Sequence, residues 1–267
     1  MSDMPATTAS LTDALRALGV AEGDALFVHA SLGAIGPCVG GARAVVAALR
    51  AAVGPAGHLA MPGFSSDASF PSRIDRDSLT PDRIAEVERA VPGFDPALST
   101  TDGMGAICES FRTWPGTRRS GHPCVSVCAQ GPRAAALLAD HPLAWACGAD
   151  SPLGRMAGWP EAKVLLIGVG WNRCTLLHTA ETLAEHRRRK TRRFKTGPGD
   201  APWRETPDVA DDNGRLFPST GAAFEATGAV RIGHLGAAES RLAPMPALLG
   251  FARDRIDAAN RASGDTA

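Results

Sequence analysis

The segment Cys174-Thr-Leu-Leu-His178-Thr-Ala-Glu181 places an imidazole and a carboxylate three residues apart. On a helix that spacing puts both on one face. A carboxylate beside an imidazole orients the ring and raises its basicity, which is what removal of a proton from an attacking amine requires. A solvated i,i+3 pair on a surface helix is the competing reading. What favours chemistry is position, since the segment follows the most apolar run of the chain, Lys163–Val169 (KVLLIGV), and a turn at Gly170. Sites in open α/β sheets collect at the carboxyl ends of strands.

His29-Ala-Ser31-Leu32-Gly33 is a second candidate. It leaves the predicted strand Ala25–Ala30 and enters the glycine-rich stretch Gly33–Gly41, whose backbone N–H groups could hold an anion or a carbonyl oxygen. A turn that uses glycine only for its geometry is the plainer alternative. A zinc reading draws on His122, Cys124, Cys128, Cys174 and His178, but no CxxC is present and the spacing is poor for chelation. A hydrolase reading would make Cys174 an acyl carrier with His178 as base, though no G-x-S-x-G elbow occurs. The chain has no Tyr, which removes a tyrosine general acid.

The elements that must position these groups read as alternating strands and helices. A helix is predicted over Ser10–Leu18 with Gly19 as its cap, and a helix Ala42–Val53 leads to a strand at His58–Met61. Strand, helix and strand within about 40 residues form a βαβ unit and favour a parallel sheet. Ser65–Thr101 reads as a long irregular excursion with one helix near Pro81–Ala90, and loops of that length are often functional. Helix-like Gly103–Trp114, strand-like Cys124–Ala129 and a helix at Arg133–Asp140 follow. A helix Thr175–Lys190 is expected to end in a basic turn. Beyond residue 200 the expectation is a helix near Gly221–Thr227, a strand near Ala229–Ile232 and a final helix near Pro246–Ala262. No repeat or linker interrupts the 267 residues, so residues 1–267 are expected to form a single α/β domain with a largely parallel central sheet and flanking helices.

Composition narrows the function class. With 28 basic and 28 acidic residues, the net charge is zero. That balance speaks against nucleic acid as a partner. The run His186–Lys195 (HRRRKTRRFK) is dense in Lys and Arg and could grip phosphates, or be a solvated helix end. No apolar run of about 18 residues is present, so no membrane span is expected. The N-terminus lacks a signal-peptide pattern, and six Cys without an export signal indicate free thiols and a cytoplasmic location.

Six segments, in order, resemble the aminoglycoside 3-N-acetyltransferase family. They are Val28–Gly41 (VHASLGAIGPCVGG), Ala52–Pro62 (AVGPAGHLAMP), Phe94–Trp114 (FDPALSTTDGMGAICESFRTW), Arg119–Gly131 (RSGHPCVSVCAQG), Asp150–Gly154 (DSPLG) and Leu165–Glu181 (LLIGVGWNRCTLLHTAE). The resemblance spans roughly residues 10–200. It implies an acetyl-CoA-dependent N-acetyltransferase that acts on the 3-amino group of a 2-deoxystreptamine aminoglycoside and confers resistance. A same-fold acetyltransferase for another small amine, such as an aminophosphonate or amino sugar, is the alternative. His178 and Glu181 would be catalytic, with acetyl-CoA contacts at His29, Ser31, Leu32, Gly33, Ser65, His122 and Ser126. No metal is implied, and the chain would work as a monomer or homodimer.

The chain departs from the family pattern at Trp171, Asn172 and Arg173, where a His and an acidic residue are common, and at Cys38. Asp67, Asp75, Asp77 and Asp82 in the excursion could still serve a cationic acceptor. Asp211, Asp212 and Glu225 are candidates for a further carboxylate. The GNAT acetyltransferase fold is rejected. Its nearest pyrophosphate-turn matches, Arg118–Pro123 and Arg155–Pro160, both end in Pro, which has no N–H to donate.

Overall fold

The computed structural model describes residues 4–210 and 214–264. Helix α1 (Thr8–Leu18) buries Leu11, Leu15 and Leu18, begins in a capping box between Thr7 and Ser10, and ends at a left-handed Gly19. Strand β1 (Ala25–Ala30) occupies the expected residues. A one-turn helix, α2 (Leu32–Ile35), stands where an open turn was expected, because Ser31 Oγ accepts the Ala34 N–H and starts it. Helix α3 (Gly41–Val53) then crosses to β2 (His58–Pro62), which pairs parallel to β1 and completes the βαβ unit.

The excursion carries α4 (Pro81–Ala90), as predicted. It is followed by α5 (Gly105–Arg112), β3 (Arg118–Arg119), β4 (Val127–Gln130), α6 (Ala134–Leu138), α7 (Pro152–Ala157) and β5 (Ala162–Ile167). The remainder is α8 (Leu176–Leu183), β6 (Arg189–Lys195), β7 (Trp203–Val209), α9 (Phe217–Glu225), β8 (Arg231–Leu235), β9 (Ala238–Pro244) and α10 (Met245–Ser263).

Seven strands form one sheet in the order β3-β4-β2-β1-β5-β9-β8. Its centre, β2-β1-β5, is parallel, and antiparallel strands flank it on both sides. β1 is buried on both faces, as central parallel strands are. Ala25 and Phe27 join the core cluster of Leu153, Leu177 and Leu248, while Leu26 and Val28 join that of Leu11, Leu49 and Phe111. Each such fully buried Leu or Phe contributes about 1.5–3 kcal/mol.

Two expectations are corrected. The helix expected over Thr175–Lys190 stops at Leu183, because Ala184 turns to extended backbone at φ −62 and ψ 140. The basic run continues as β6, paired with β7 in a separate two-stranded ribbon. Its charges are engaged within the fold. Arg193 grips Glu88 of α4 at 2.6 and 3.0 Å, Arg192 meets Asp208 at 2.7 Å, and Lys195 Nζ donates to Val91 O at 2.8 Å. The ribbon thereby holds the excursion in place rather than ending a helix.

The strand expected over Cys124–Ala129 is also shorter. The N–H groups of Cys124 and Val125 both donate to His122 Nδ1, at 3.1 and 3.0 Å, so the ladder starts only at Val127.

Candidate active site

A cleft of about 570 Å³ opens at the carboxyl ends of β1, β2 and β5. This is where the strand order places its switch point, with β2 and β5 on opposite sides of β1. His29 to Gly33 form one wall, Pro62 and Phe64 another, and Gly103 to Ala106 with Cys108 a third. Val169, Asn172, Arg173, Thr175 and His178 close the fourth.

The turn from β5 into α8 is held tightly. Gly168 has φ +62, and a Cβ there would lie 2.3 Å from Ala34 Cβ, so α2 packs directly on it. Only glycine accepts both conditions. Trp171 turns inward onto α9, where its Nε1 donates to Glu225 Oε1 at 2.6 Å. It presses so closely on Gly221 that a Cβ there would lie 1.9 Å from the indole. Trp171 therefore does not face the cleft, whereas Asn172 and Arg173 do. Glu225, also bound by Arg241 at 2.5 Å, is committed to this structural contact. Asp211 and Asp212 lie outside the described residues.

His178 is placed by the first turn of α8. Its Nδ1 lies 2.9 Å from Glu181 Oε2, and its ring meets Phe217 edge-on at a centroid distance of 4.7 Å. Glu181 is only 4% exposed, so the carboxylate is shielded while the imidazole borders the cleft. A carboxylate can only accept, so the neutral ring carries its proton on Nδ1 and Nε2 is the basic atom.

His29 also borders the cleft. Its Nε2 accepts the N–H of Thr175 at 3.2 Å, which ties α8 to β1. Burial, with His178 nearby, pushes its pKa down to about 3. Ser31 donates its own N–H to Ile167 O at 2.9 Å, and among the described residues the amides of Leu32 and Gly33, in the first turn of α2, have no backbone acceptor.

The structure does not bring Ser65, His122 or Ser126 to this lining. Ser65 N–H donates to Cys124 O, and its Oγ accepts the Asp67 N–H. His122 is fully buried, with Nδ1 accepting two amides and Nε2 against Leu143 O. Burial and the neighbouring His141 push its pKa down to about 3. Ser126 Oγ donates to Gly63 O at 2.5 Å and accepts from Arg119 Nε at 2.9 Å. All three are engaged in hydrogen bonds within the fold rather than lining this cleft.

Residues that sequence reasoning missed are Thr175, whose amide bonds His29, and Phe217, which backs the His178 ring. Thr175 stands next to the quoted motif residues, whereas Phe217 lies in a segment without a pattern of its own.

The zinc candidates do not converge. Cys124 Sγ faces Ser69, Cys128 packs on Gly63, and Cys174 is wholly buried with its thiol pushed up to about 12 by burial. Among the described residues, the one grouping with metal-ligand reach is Glu185, His186 and Asp257, away from the cleft. A buried protonated thiol is also unsuited to carry an acyl group.

An imidazole backed by a buried carboxylate over a long cleft at strand tips defines an α/β enzyme with a base in place for proton abstraction. The chain belongs to the aminoglycoside 3-N-acetyltransferase family, whose model matches residues 27–257. An aminoglycoside N(3)-acetyltransferase III from Serratia marcescens is 42% identical over 79% of this chain and 78% of its own length. Among solved structures, an AAC-IIIb binary complex with CoASH superposes with a TM-score of 0.84 at 34% identity, covering 96% of this chain and 98% of that one. AAC-VIa bound to sisomicin gives a TM-score of 0.84 at 34% identity, covering 96% and 99%.

Proposed function

We propose that this chain is an acetyl-CoA-dependent N-acetyltransferase that modifies an aminoglycoside at the 3-amino group of its 2-deoxystreptamine ring. The reaction class rests on the family and on the His178–Glu181 couple at the cleft. The amine attacks the thioester carbonyl carbon while His178 Nε2 takes its proton. The C–S bond then breaks, and the CoA sulfur leaves as a thiolate that takes up from His178 the proton the amine gave. Glu181 stabilises the imidazolium between the two steps. Amides of Leu32 and Gly33 are in place to receive the oxygen as charge develops on it.

For the acceptor, the supporting relative is AAC-VIa, solved with sisomicin. The local support is a hollow beside the cleft that carries two carboxylates, Asp67 and Asp102, against one cation, Arg73, on an otherwise largely apolar lining. It adjoins the cleft wall, because Asp102 N–H donates to Phe64 O at 2.8 Å. Carboxylates there suit the ammonium groups of a polycation. Asp75, Asp77 and Asp82 lie outside both linings.

A second acceptor reading has its own observation. The cleft beside His178 has Arg173 on its wall and no carboxylate among its lining residues. That would suit a small amine carrying an anionic group, such as an aminophosphonate.

The enzyme is proposed to work in the cytoplasm, without a metal, as one domain over residues 1–267 and as a monomer or homodimer. Among the described residues, no helix is long and apolar enough to cross a membrane. Release of CoA thiol, measured with acetyl-CoA and a panel of gentamicin, kanamycin, apramycin, amino sugars and aminophosphonates, tests the reading. Turnover of a 2-deoxystreptamine drug supports it. Turnover of other amines only would overturn the acceptor and keep the reaction.

A further inference from the structure

Two imidazoles border the cleft, and hydrogen bonding gives them opposite tautomers. Glu181 keeps the proton of His178 on Nδ1, which makes Nε2 a base. For His29 the relation is reversed. Its Nε2 accepts the Thr175 N–H, so in the neutral ring the proton must sit on Nδ1. Among the described residues no group takes up that Nδ1–H. The ring also stays neutral, since burial and the proximity of His178 keep it from taking a second proton until about pH 3. A neutral imidazole with a fixed N–H beside a base is a donor, not a competitor for the proton.

We propose that His29 is a catalytic hydrogen-bond donor whose Nδ1–H meets the carbonyl oxygen of the acyl thioester beside the base His178. This rests on the acetyltransferase reading of the cleft. The amine nitrogen bonds to the carbonyl carbon, and its proton moves to His178 Nε2. The oxygen takes on negative charge, which the His29 N–H and the Leu32 and Gly33 amides receive. The oxygen then re-forms its double bond, the CoA sulfur leaves with the C–S electron pair, and His178 returns the proton to it. His29 keeps its own proton throughout. The Thr175 bond holds the donor in place before charge develops, which is the condition under which such donors accelerate a reaction most.

Two substitutions separate donation from the tie to α8. His29→Leu removes both, whereas His29→Gln keeps an acceptor for Thr175 and carries its NH2 one bond farther from Cβ than Nδ1, away from the proposed oxygen. Both are expected to lower kcat about 100-fold, the usual cost of losing one donor of this kind. Affinity for CoA, which lacks the acyl oxygen, should stay within about threefold of wild type. If His29→Gln retained kcat within about threefold, His29 would only tie the helix and the proposal would fall.

Should the variants fold poorly, ¹⁵N spectra of the wild-type imidazoles read the same point. The expected result is a neutral Nδ1–H ring for His29 across about pH 5 to 8. Its signal should move on adding acetonyl-CoA, a ketone analogue, and not on adding CoA. A ring protonated on Nε2, or a signal indifferent to the ketone, overturns the donor role alone. A protein that binds no CoA in any form overturns this role and the proposed function together.

Discussion

Glu181 Oε2 and His178 Nδ1 lie 2.9 Å apart, with the carboxylate buried beneath the ring and the ring at the cleft. The couple is local to one helix, so its geometry depends on α8 alone for spacing and on His29 and Phe217 for position. His178→Ala should lower kcat by about 10²–10⁴-fold with little change in CoA affinity. Glu181→Gln should fall between wild type and that loss, because a Gln amide can donate to Nδ1 and turn the ring to the wrong tautomer. Steady-state kinetics with acetyl-CoA check both. A His178→Ala enzyme within about threefold of wild type would show that another group is the base.

The buried His29 and His122 and the half-buried His141 destabilise the fold toward acid, and the buried His58, also lowered by burial, acts in the same direction. Burial lowers His29 and His122 to about 3 and His141 to about 4, from 6.5 in an unfolded chain. The unfolded state therefore binds more protons between those values. Stability from these groups is complete above pH 6.5 and is lost as pH falls toward 3 to 4. Each contributes a slope of up to about 1.4 kcal/mol per pH unit within the window. Urea midpoints measured downward from pH 7 should drop steeply below about pH 6. A midpoint that stays level down to pH 4 would show that these rings are already protonated in the fold.

Much of the centre of the sheet was legible in the sequence. Residues 25–28 (ALFV) and 164–167 (VLLI) are unbroken apolar runs, and two-faced burial leaves them no other form. β6 was hidden, because RKTRRFK looks like a solvated helix end. It is a strand because Phe194 packs inward and the arginines find Asp208 on the paired strand and Glu88, 105 residues away. β7 was hidden by Pro207, which fits a two-stranded ribbon but not a central strand. Of the site, the His178–Glu181 pair was legible because it is local. The tautomer of His29 was not, since it is set by an amide 146 residues away.

Cys174 stands four residues before the base, yet its side chain is enclosed by the core and its thiol is pushed up to about 12. Direct transfer predicts that Cys174→Ala keeps kcat within about threefold of wild type. Intact-mass measurement of wild-type protein mixed with acetyl-CoA should show no added acetyl group. An acetylated species that disappears when amine is added, and is absent from Cys174→Ala, would establish a covalent route instead.

Arg173 tests which side of the cleft the acceptor uses. It is exposed on the same wall as His178, while Asp67 and Asp102 border the neighbouring hollow. If a polycationic acceptor reaches His178 past Arg173, it meets a like charge. Removing that charge in Arg173→Gln should then lower its KM by about two- to fivefold at low ionic strength. The gain should vanish in high salt, where rim charges are screened. CoA carries phosphates, so an Arg173 on the cofactor side would show the reverse: KM for acetyl-CoA would rise and the acceptor KM would stay level. An enzyme that prefers an anionic amine would lose affinity for that amine in the same variant. The sign of the change in acceptor KM therefore separates an aminoglycoside site from the aminophosphonate alternative, independently of the role of His178.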